Sequence, residues 1–266
     1  MTRIAIHGAA GRMGRSIARV LAEDPKGEVT AAVDRGPAVG QDLGLLAGLS
    51  PSGLVVSEDL DAAFGAADVV IDFSLPAATR AVMEAAGRAG VPVVCGTTGL
   101  DPEAHASLDA LAAKQPVVFA PNYSQGVTLL FHLAARAAEL LGEGFDAEIV
   151  EMHHRLKVDS PSGTAMKLAE VVAEAKGLAV AEHAVYGREG QVGARPNDEI
   201  AVLALRGGDV VGEHTLYLQG MGERLELTHR ATDRQIFARG AVRAAHWVKG
   251  RAPGVYDMFD VMGVER

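Results

Sequence analysis

The stretch EMHHRLKVDSPSGTA, from Glu151 to Ala165, places six titratable side chains within its first nine residues. Histidines titrate near neutral pH and can give or take a proton, and a lysine can donate a proton or hold an anion. The residues Ser162–Thr164 follow at the predicted start of a helix, where hydroxyls and unpaired backbone N–H groups favour a carboxylate. These residue types predict a site that binds a small di-acid and protonates it.

A metal site and a solvated surface patch are the alternatives for this stretch. His153 and His154 are adjacent, so they point to opposite faces of a strand, and neither zinc-type spacing nor a cysteine pair accompanies them. We therefore expect no metal. A solvated strand end explains Arg155, which we expect to be structural or solvent-facing. It does not explain why two histidines, Lys157 and a Ser-Gly-Thr turn converge at the end of an apolar strand.

A second group of residues that can do chemistry is the loop HGAAGRMG, which has glycines at positions 8, 11 and 14. Its G-x-x-G-x-x-G spacing provides a tight turn and a helix N-terminus that approach a pyrophosphate. The next predicted strand ends at Asp34, where a carboxylate would hold ribose hydroxyls, and Arg35 beside it would pair with a 2′-phosphate. We therefore expect both NADH and NADPH to bind. The alternative is a glycine turn without a cofactor.

Short apolar strands and helices alternate through the first half of the chain, which predicts an α/β fold with a Rossmann-like doubly wound parallel sheet. Such sheets bind ligands beyond the carboxyl ends of their strands. Polar groups end three of these strands, at 72–74, 96–99 and 120–124, so we expect them to line one cofactor groove. The predicted strands cover residues 3–8, 28–34, 67–74, 91–99 and 116–122, and the predicted helices cover 15–24, 76–90 and 102–114.

The pattern changes after about residue 124. A long apolar helix is predicted at 126–142, then a strand that leads into the His153 stretch, then a helix at 164–177. The segments EIAVLALRGG, VVGEHTLYLQG and ERLELTHRATD alternate in hydrophobicity between glycine turns, which predicts an antiparallel meander. A last helix is predicted near 234–249. We therefore predict a second α+β domain with a mixed or antiparallel open sheet.

Composition limits the possible partners and compartments. The chain has 25 Lys+Arg against 34 Asp+Glu, a net charge of −9, which argues against binding to nucleic acid or an anionic membrane. Its one cysteine, Cys95, lies in an apolar strand and is expected to be inert core. With no signal-peptide pattern and no apolar run of membrane-spanning length, we expect a cytoplasmic protein.

Six motifs, taken in order, connect the chain to a known family. They are GAAGRMGR (8–15), DFS (72–74), GTTG (96–99), APNYSQGV (120–127), HHRLKVDSPSGTA (153–165) and FARGAVRAAHW near the C-terminus. With them the chain resembles the dihydrodipicolinate reductase (4-hydroxy-tetrahydrodipicolinate reductase) family nearly from end to end. The glycine loop is shared with many oxidoreductases, whereas the block from the paired histidines to Ser-Gly-Thr is close to diagnostic.

The resemblance implies NADH- or NADPH-dependent reduction of 4-hydroxy-tetrahydrodipicolinate to tetrahydrodipicolinate, with loss of water, in diaminopimelate and L-lysine biosynthesis. Lys157 would assist loss of the hydroxyl, hydride would add to C4 of the conjugated imine, and His153 would supply a proton at C3. The residues implied to hold the substrate are His154, Ser162, Gly163 and Thr164. Those implied to bind the cofactor are Gly8, Ala9, Ala10, Gly11, Arg12 and Met13 at the pyrophosphate, Asp34 at the ribose, Arg35 at the 2′-phosphate, and Gly96, Thr97, Thr98, Ala120, Pro121, Asn122 and Tyr123 on the nicotinamide side.

The resemblance also implies a homotetramer and a discontinuous first domain. Family members use the sheet of the second domain as an interface, and their last helix packs back on the first domain. The implied domains are therefore 1–124 plus 234–266, which would bind the dinucleotide, and 125–233, for substrate binding and oligomerisation. Two positions depart from the family pattern. Leu156 stands where many members have a third histidine, and Tyr123 stands where Phe is frequent.

Two rival interpretations remain open at this point. One is another Rossmann reductase of small acids, such as a homoserine or semialdehyde dehydrogenase, against which the block at 153–165 argues. The other is a non-catalytic NAD(P)H-sensing regulator, which would not need His153 or Lys157. The remaining histidines are expected to be core or surface residues without a role, and they are His7, His105, His132, His183, His214, His229 and His246.

Overall fold

A computed structural model describes residues 1–264 of the chain. The chain divides into two compact units, which are residues 1–125 with 235–266, called unit 1, and residues 126–234, called unit 2. Within the described residues, no helix is both long and apolar enough to cross a bilayer.

The elements alternate along the chain as follows. The strands are β1 (Thr2–His7), β2 (Gly27–Val33), β3 (Val69–Asp72), β4 (Val93–Cys95), β5 (Pro116–Phe119), β6 (Asp146–His153), β7 (Ala184–Val185), β8 (Ile200–Arg206), β9 (Gly212–Gly220), β10 (Glu223–Ala231) and β11 (Gly254–Tyr256). The helices are α1 (Arg12–Ala22), α2 (Leu43–Leu46), α3 (Leu60–Gly65), α4 (Pro76–Ala89), α5 (Pro102–Ala112), α6 (Gln125–Leu141), α7 (Gly163–Ala175), α8 (Val180–His183), α9 (Gln235–Val248) and α10 (Met258–Met262).

Unit 1 is built on a six-stranded, all-parallel sheet with the strand order β11-β5-β4-β3-β1-β2. Its two faces are covered by different helices, as the alternation of strands and helices predicts. One hydrophobic cluster joins Ile4 and Ile6 of β1 to α1 and α9, and the other joins Ala5 to α3, α4 and α5. The predicted Rossmann-like, doubly wound sheet is therefore confirmed.

The last long helix, α9, packs within unit 1 because a glycine lets it approach closely. A side-chain carbon at Gly240 would lie 1.7 Å from the carbonyl oxygen of Tyr123, so no larger residue fits there. The short strand β11, which follows α9, adds to the free edge of β5. This strand was not predicted, because three residues are too few to show a period of two.

Unit 2 contains a five-stranded mixed sheet with the order β10-β9-β6-β8-β7. The prediction of an antiparallel meander is correct for β9 and β10, which form a hairpin around Met221 and Gly222, but wrong for β8. Strand β6 lies between β8 and β9 and is parallel to β8. The helix α7 lies in the connection that makes this parallel pairing possible. Hydrophobic alternation identifies a strand but does not determine which strands become neighbours.

Candidate active site

A cleft of about 500 Å³ lies in unit 1 at the carboxyl ends of β1, β2 and β3. This is the edge at which open parallel sheets bind ligands. Six predicted cofactor residues line the cleft, and they are Gly8, Gly11, Arg12, Met13, Asp34 and Arg35. The other residues that line it are His7, Val33, Glu58, Leu60, Phe73, Ser74, Leu75 and Ala78.

The glycine loop approaches its neighbours so closely that side chains are excluded. Gly8 has a φ of 73°, and a side-chain carbon there would lie 2.4 Å from the carbonyl oxygen of Phe73. At Gly14 a side-chain carbon would lie 2.2 Å from the carbonyl oxygen of Gly8. Helix α1 begins directly after Gly11, where no side chain caps it. The loop therefore presents a helix N-terminus to the cleft, which fits the diphosphate of a dinucleotide.

Asp34 holds the glycine loop and lies in the same cleft. Its Oδ2 accepts a hydrogen bond of 2.8 Å from the amide of Ala10, and its Oδ1 accepts one of 2.8 Å from the amide of Arg35. A carboxylate has about four acceptor sites, so two remain for ribose hydroxyls. The side chain of Arg35 is exposed at the rim. The sequence prediction did not include Glu58, an acidic residue that also lines this cleft.

The other predicted cofactor residues do not line this cleft. Ala9 is buried core, and Ala10 contributes its amide to Asp34. The side chain of Tyr123 is buried, and its hydroxyl donates to backbone carbonyls in the strands below. A side-chain carbon at Gly96 would lie 2.2 Å from the ring of Phe73, so this glycine makes room for a ring that lines the cleft. The remaining predicted cofactor residues that do not line the cleft are Thr97, Thr98, Ala120, Pro121 and Asn122.

A second group of polar side chains lies in unit 2, on one face of the mixed sheet. Glu151 and His153 are two residues apart on β6, so they share a face. The strand register places His214 of β9 opposite Glu151 and Arg206 of β8 opposite His153. The rings of His153 and His214 meet edge to face with centroids 5.2 Å apart.

Glu151 is fully buried and accepts four hydrogen bonds. Arg206 donates to both of its oxygens at 2.8 Å, the amide of Ser162 donates at 3.0 Å, and His153 Nδ1 lies 2.6 Å from Oε2. Burial by itself would raise the pKa of Glu151, but the hydrogen bonds from Arg206, His153 and the Ser162 amide hold it below its usual value. Glu151 is therefore a carboxylate that accepts from the imidazole.

The contact with Glu151 determines which nitrogen of His153 is available for chemistry. Since Nδ1 donates to a carboxylate, Nε2 is the nitrogen left for a substrate. Burial lowers the pKa of His153 below its usual value, and Lys157 and Arg206 lower it further, whereas Glu151 opposes this shift. Gly212 packs so closely against the ring of His153 that a side-chain carbon at position 212 would lie 2.9 Å from Nε2.

The residues that follow His153 form an exposed loop. Lys157 Nζ binds the Asp159 carboxylate at 2.7 and 2.8 Å, and this bond is the main cause of the lowered pKa of Asp159. His154 Nε2 lies 3.1 Å from the guanidinium of Arg234. Arg155 is exposed.

The position that departs from the family pattern lies in the same loop. The side chain of Leu156 is 80% exposed and therefore contributes little to packing.

The predicted carboxylate-binding turn lies at the N-terminus of α7. Ser162 is buried, and its hydroxyl accepts a hydrogen bond of 3.2 Å from the Ala165 amide and lies 3.0 Å from His214 Nε2. The bond from the Ala165 amide makes Ser162 the N-cap of α7, and both its hydroxyl and its amide have protein partners. Gly163 is exposed and Thr164 is partly exposed at the start of the helix, where the dipole favours an anion.

Sequence reasoning missed Glu151, Arg206 and His214 in this site and His7 in the cleft. The alternation along β6 contains enough information to place Glu151 beside His153. Arg206 and His214 depend on which strands pair, and no local pattern gives that pairing. The sequence assigns no role to His7 or His214, yet His7 lines the cleft and His214 contacts His153.

We expect unit 2 to lose stability as the pH falls, because burial lowers the pKa of His214 from 6.5 to about 4. A histidine whose pKa is lowered in the folded state contributes its full stabilisation of that state at pH values above its unfolded-state pKa. This contribution is lost as the pH falls from 6.5 to about 4. Between about pH 7 and about pH 5 the free energy of unfolding should fall by about 2 kcal/mol through this group. Denaturant unfolding should show a smaller pH dependence in His214→Gln; equal pH dependence would contradict the prediction.

Comparison with known proteins identifies the family of the chain. The family model described as dihydrodipicolinate reductase, N-terminus, matches residues 2–123, and the one described as dihydrodipicolinate reductase, C-terminus, matches residues 126–262. The 4-hydroxy-tetrahydrodipicolinate reductase of Alkalilimnicola ehrlichii is 54% identical over 265 residues, which cover 99% of each chain. The one of Syntrophotalea carbinolica is 49% identical over 267 residues, which cover 100% of each chain.

A solved structure has the same fold. The dihydrodipicolinate reductase from Paenisporosarcina sp. TG-14, determined with dipicolinate bound, is 26% identical and gives a TM-score of 0.78 over 98% of both chains. Two family models together cover nearly the whole sequence, and relatives of about half-identical sequence align along its full length. The chain therefore belongs to the dihydrodipicolinate reductase family of pyridine-nucleotide-dependent oxidoreductases.

Proposed function

We propose that this protein reduces 4-hydroxy-tetrahydrodipicolinate to tetrahydrodipicolinate, with loss of water, in diaminopimelate and L-lysine biosynthesis. The observation that supports this most strongly is His153, whose imidazole is oriented by a buried carboxylate in the same cluster as the capped N-terminus of α7. A proton donor near a carboxylate-binding helix end is what the reduction of a cyclic imine di-acid requires.

The cleft in unit 1 suits a pyridine nucleotide. Gly8 and Gly14 leave no room for side chains, so the backbone of the loop could approach a diphosphate closely, and the N-terminus of α1 would offer it amides. Asp34 would hold the adenosine ribose and Arg35 the 2′-phosphate, so both NADH and NADPH would serve. The bound nucleotide supplies a hydride. The loops at Gly96–Thr98 and Ala120–Tyr123 would line the nicotinamide side through their backbone, since the Thr97 and Tyr123 side chains have protein partners.

The substrate would bind in unit 2. Gly163 and Thr164 would hold one carboxylate at the start of α7, with His154 as a further contact, while Ser162 caps the helix. Lys157 would exchange its bond with Asp159 for the substrate and protonate the departing hydroxyl, while the adjacent ring carbon, C3, would lose a proton to solvent, so that water is eliminated. His153 would then donate a proton at C3 as hydride reaches C4. Positive charge near the carboxylates and the ring nitrogen would stabilise the transition state.

Truncation of Arg35 should reveal the 2′-phosphate contact. We expect Arg35→Ala to raise the KM for NADPH about tenfold while the KM for NADH changes less than about twofold, because only NADPH offers the charged partner. Steady-state kinetics with each nucleotide measures this difference. Arg15→Ala, which alters a partly exposed arginine of α1 outside the cleft, is the matched control. Equal effects on the two nucleotides would refute the role of Arg35.

One assay tests the proposed function directly. Oxidation of NADPH or NADH is followed by absorbance, with the substrate freshly made by dihydrodipicolinate synthase. Rapid oxidation that requires the synthase product is expected. A non-catalytic nucleotide-binding regulator would bind the nucleotide without oxidising it, and a reductase of another small acid would ignore this substrate. Either result would overturn the proposal.

The proposal assigns dinucleotide binding to unit 1, and substrate binding and assembly of a homotetramer to unit 2. The support for assembly is the sheet face opposite Glu151, where Tyr217 is partly exposed and Leu205 is 47% exposed. Apolar groups on an open sheet face favour a partner surface. Light scattering measures the mass in solution, and a monomer would contradict the assembly.

A further inference from the structure

We propose that His7 is an additional cofactor-binding residue, which contacts the part of the dinucleotide that NADH and NADPH share. This inference rests on the proposed use of a pyridine nucleotide in unit 1. His7 is the last residue of β1, directly before the glycine loop, and it lines the same cleft as Gly8, Arg12 and Asp34.

A buried carboxylate fixes the ring of His7. Its Nδ1 lies 2.7 Å from Oδ1 of Asp72, whose side chain has no exposed surface, and the His7 side chain itself is only 12% exposed. Asp72 ends β3, which lies beside β1 in the sheet, and His7 and Asp72 are register partners. The imidazole is therefore held at the carboxyl edge of the sheet, where ligands bind.

The hydrogen bonds behind Asp72 show that its Oδ2 is an acceptor. The Ser74 amide donates to Thr97 Oγ1 at 3.0 Å, so the hydroxyl hydrogen of Thr97 is directed to Asp72 Oδ2, also at 3.0 Å. An ionised carboxylate only accepts hydrogen bonds, so beside the Asp72 carboxylate His7 donates from Nδ1. In the neutral ring Nε2 is then an acceptor, and it is the nitrogen left for a ligand.

A second polar atom without a protein partner lies in the same cleft. The hydroxyl oxygen of Ser74 is buried and has no hydrogen-bond partner among the described residues, although Ser74 lines the cleft. Buried polar groups in native proteins normally have partners, so this hydroxyl also indicates a ligand with polar groups. The ribose on the nicotinamide side of the dinucleotide has hydroxyls that could donate a hydrogen bond to Nε2 of His7 and exchange one with the hydroxyl of Ser74.

Two substitutions at position 7 separate ligand contact from structural support. The side chain in His7→Asn can still donate to Asp72 from the place of Nδ1, but it lacks an atom at the place of Nε2. The side chain in His7→Gln can place an amide near Nε2. Calorimetric titration of wild type and both variants would use NADPH, NADH, ADP-ribose and AMP, with thermal melting as the check of folding.

The expected result is selective for both the variant and the ligand. His7→Asn should lower the affinity for NADPH, NADH and ADP-ribose by a similar factor of about five, which is the loss expected for one hydrogen bond. His7→Gln should recover most of this affinity. AMP, which lacks the nicotinamide-side ribose, should bind all three proteins equally well.

Three results would overturn the inference. They are wild-type affinity of His7→Asn for NADPH, an equal loss for AMP, and a loss of affinity that follows the melting temperature in both variants. If wild type itself bound no pyridine nucleotide, the proposed cofactor would be wrong as well, so the two failures are distinguishable.

Discussion

Replacement of His153 with alanine is expected to lower the turnover number by about a hundredfold or more, because the imidazole is the proposed proton donor at C3. Lys157→Ala should cause a loss of similar size through slower departure of the hydroxyl. The affinity for NADPH should change little in either variant, since both residues belong to unit 2 and the cleft belongs to unit 1. Steady-state kinetics and calorimetric titration of NADPH measure the two quantities separately.

Lys167→Ala provides a matched control for loss of a positive charge near the site. Lys167 lies on α7, is about half exposed and pairs with Glu170, so its removal should leave turnover unchanged. If His153→Ala and Lys157→Ala both kept wild-type turnover, the catalytic assignment would be wrong.

Substitution of Glu151 by glutamine should reduce both turnover and stability. The uncharged amide leaves Arg206 without its carboxylate, and loss of one partner of a buried pair costs about 3 kcal/mol in the free energy of unfolding. Turnover should fall at least about tenfold, because the imidazole of His153 loses the group that fixes its orientation and tautomer. Denaturant unfolding and steady-state kinetics measure these effects.

The pH profile distinguishes a positioning role of Glu151 from a purely structural one. Glu151 raises the pKa of His153 against the lowering caused by burial, so its removal should lower that pKa further. The protonated imidazole is lost as the pH rises through its pKa. The fall of turnover with rising pH should therefore begin at a lower pH in Glu151→Gln than in wild type.

Glu148→Gln is the matched control for this substitution. Glu148 lies on the same strand, three residues earlier and on the opposite face, and it forms ion pairs with Arg188 and Arg195. Its loss should lower stability without a shift in the pH profile. If the two variants had the same profile, Glu151 would be a structural residue only.

The local sequence was sufficient to predict the parallel sheet of unit 1, apart from β11, and the edge at which its candidate ligand cleft lies. Short apolar strands that alternate with helices allow few arrangements other than a parallel sheet, and the carboxyl ends of such strands meet at one edge. Two glycines of the loop motif are required by the backbone itself, because no side chain fits at Gly8 before α1 or at Gly14 in its first turn. The N-terminus of α7 could also be predicted, because its cap, Ser162, and the amide that the cap binds are only three residues apart in the sequence.

Only the tertiary structure determined which side chains support these sites. His153 meets Arg206 and His214 because β6 lies between β8 and β9, and this neighbour order depends on long-range pairing that hydrophobic alternation does not encode. His7 meets Asp72 across 65 residues of chain for the same reason. A local pattern determines the conformation of a segment and the face of each side chain, whereas the free energy of packing the whole chain selects the residue on the opposite strand.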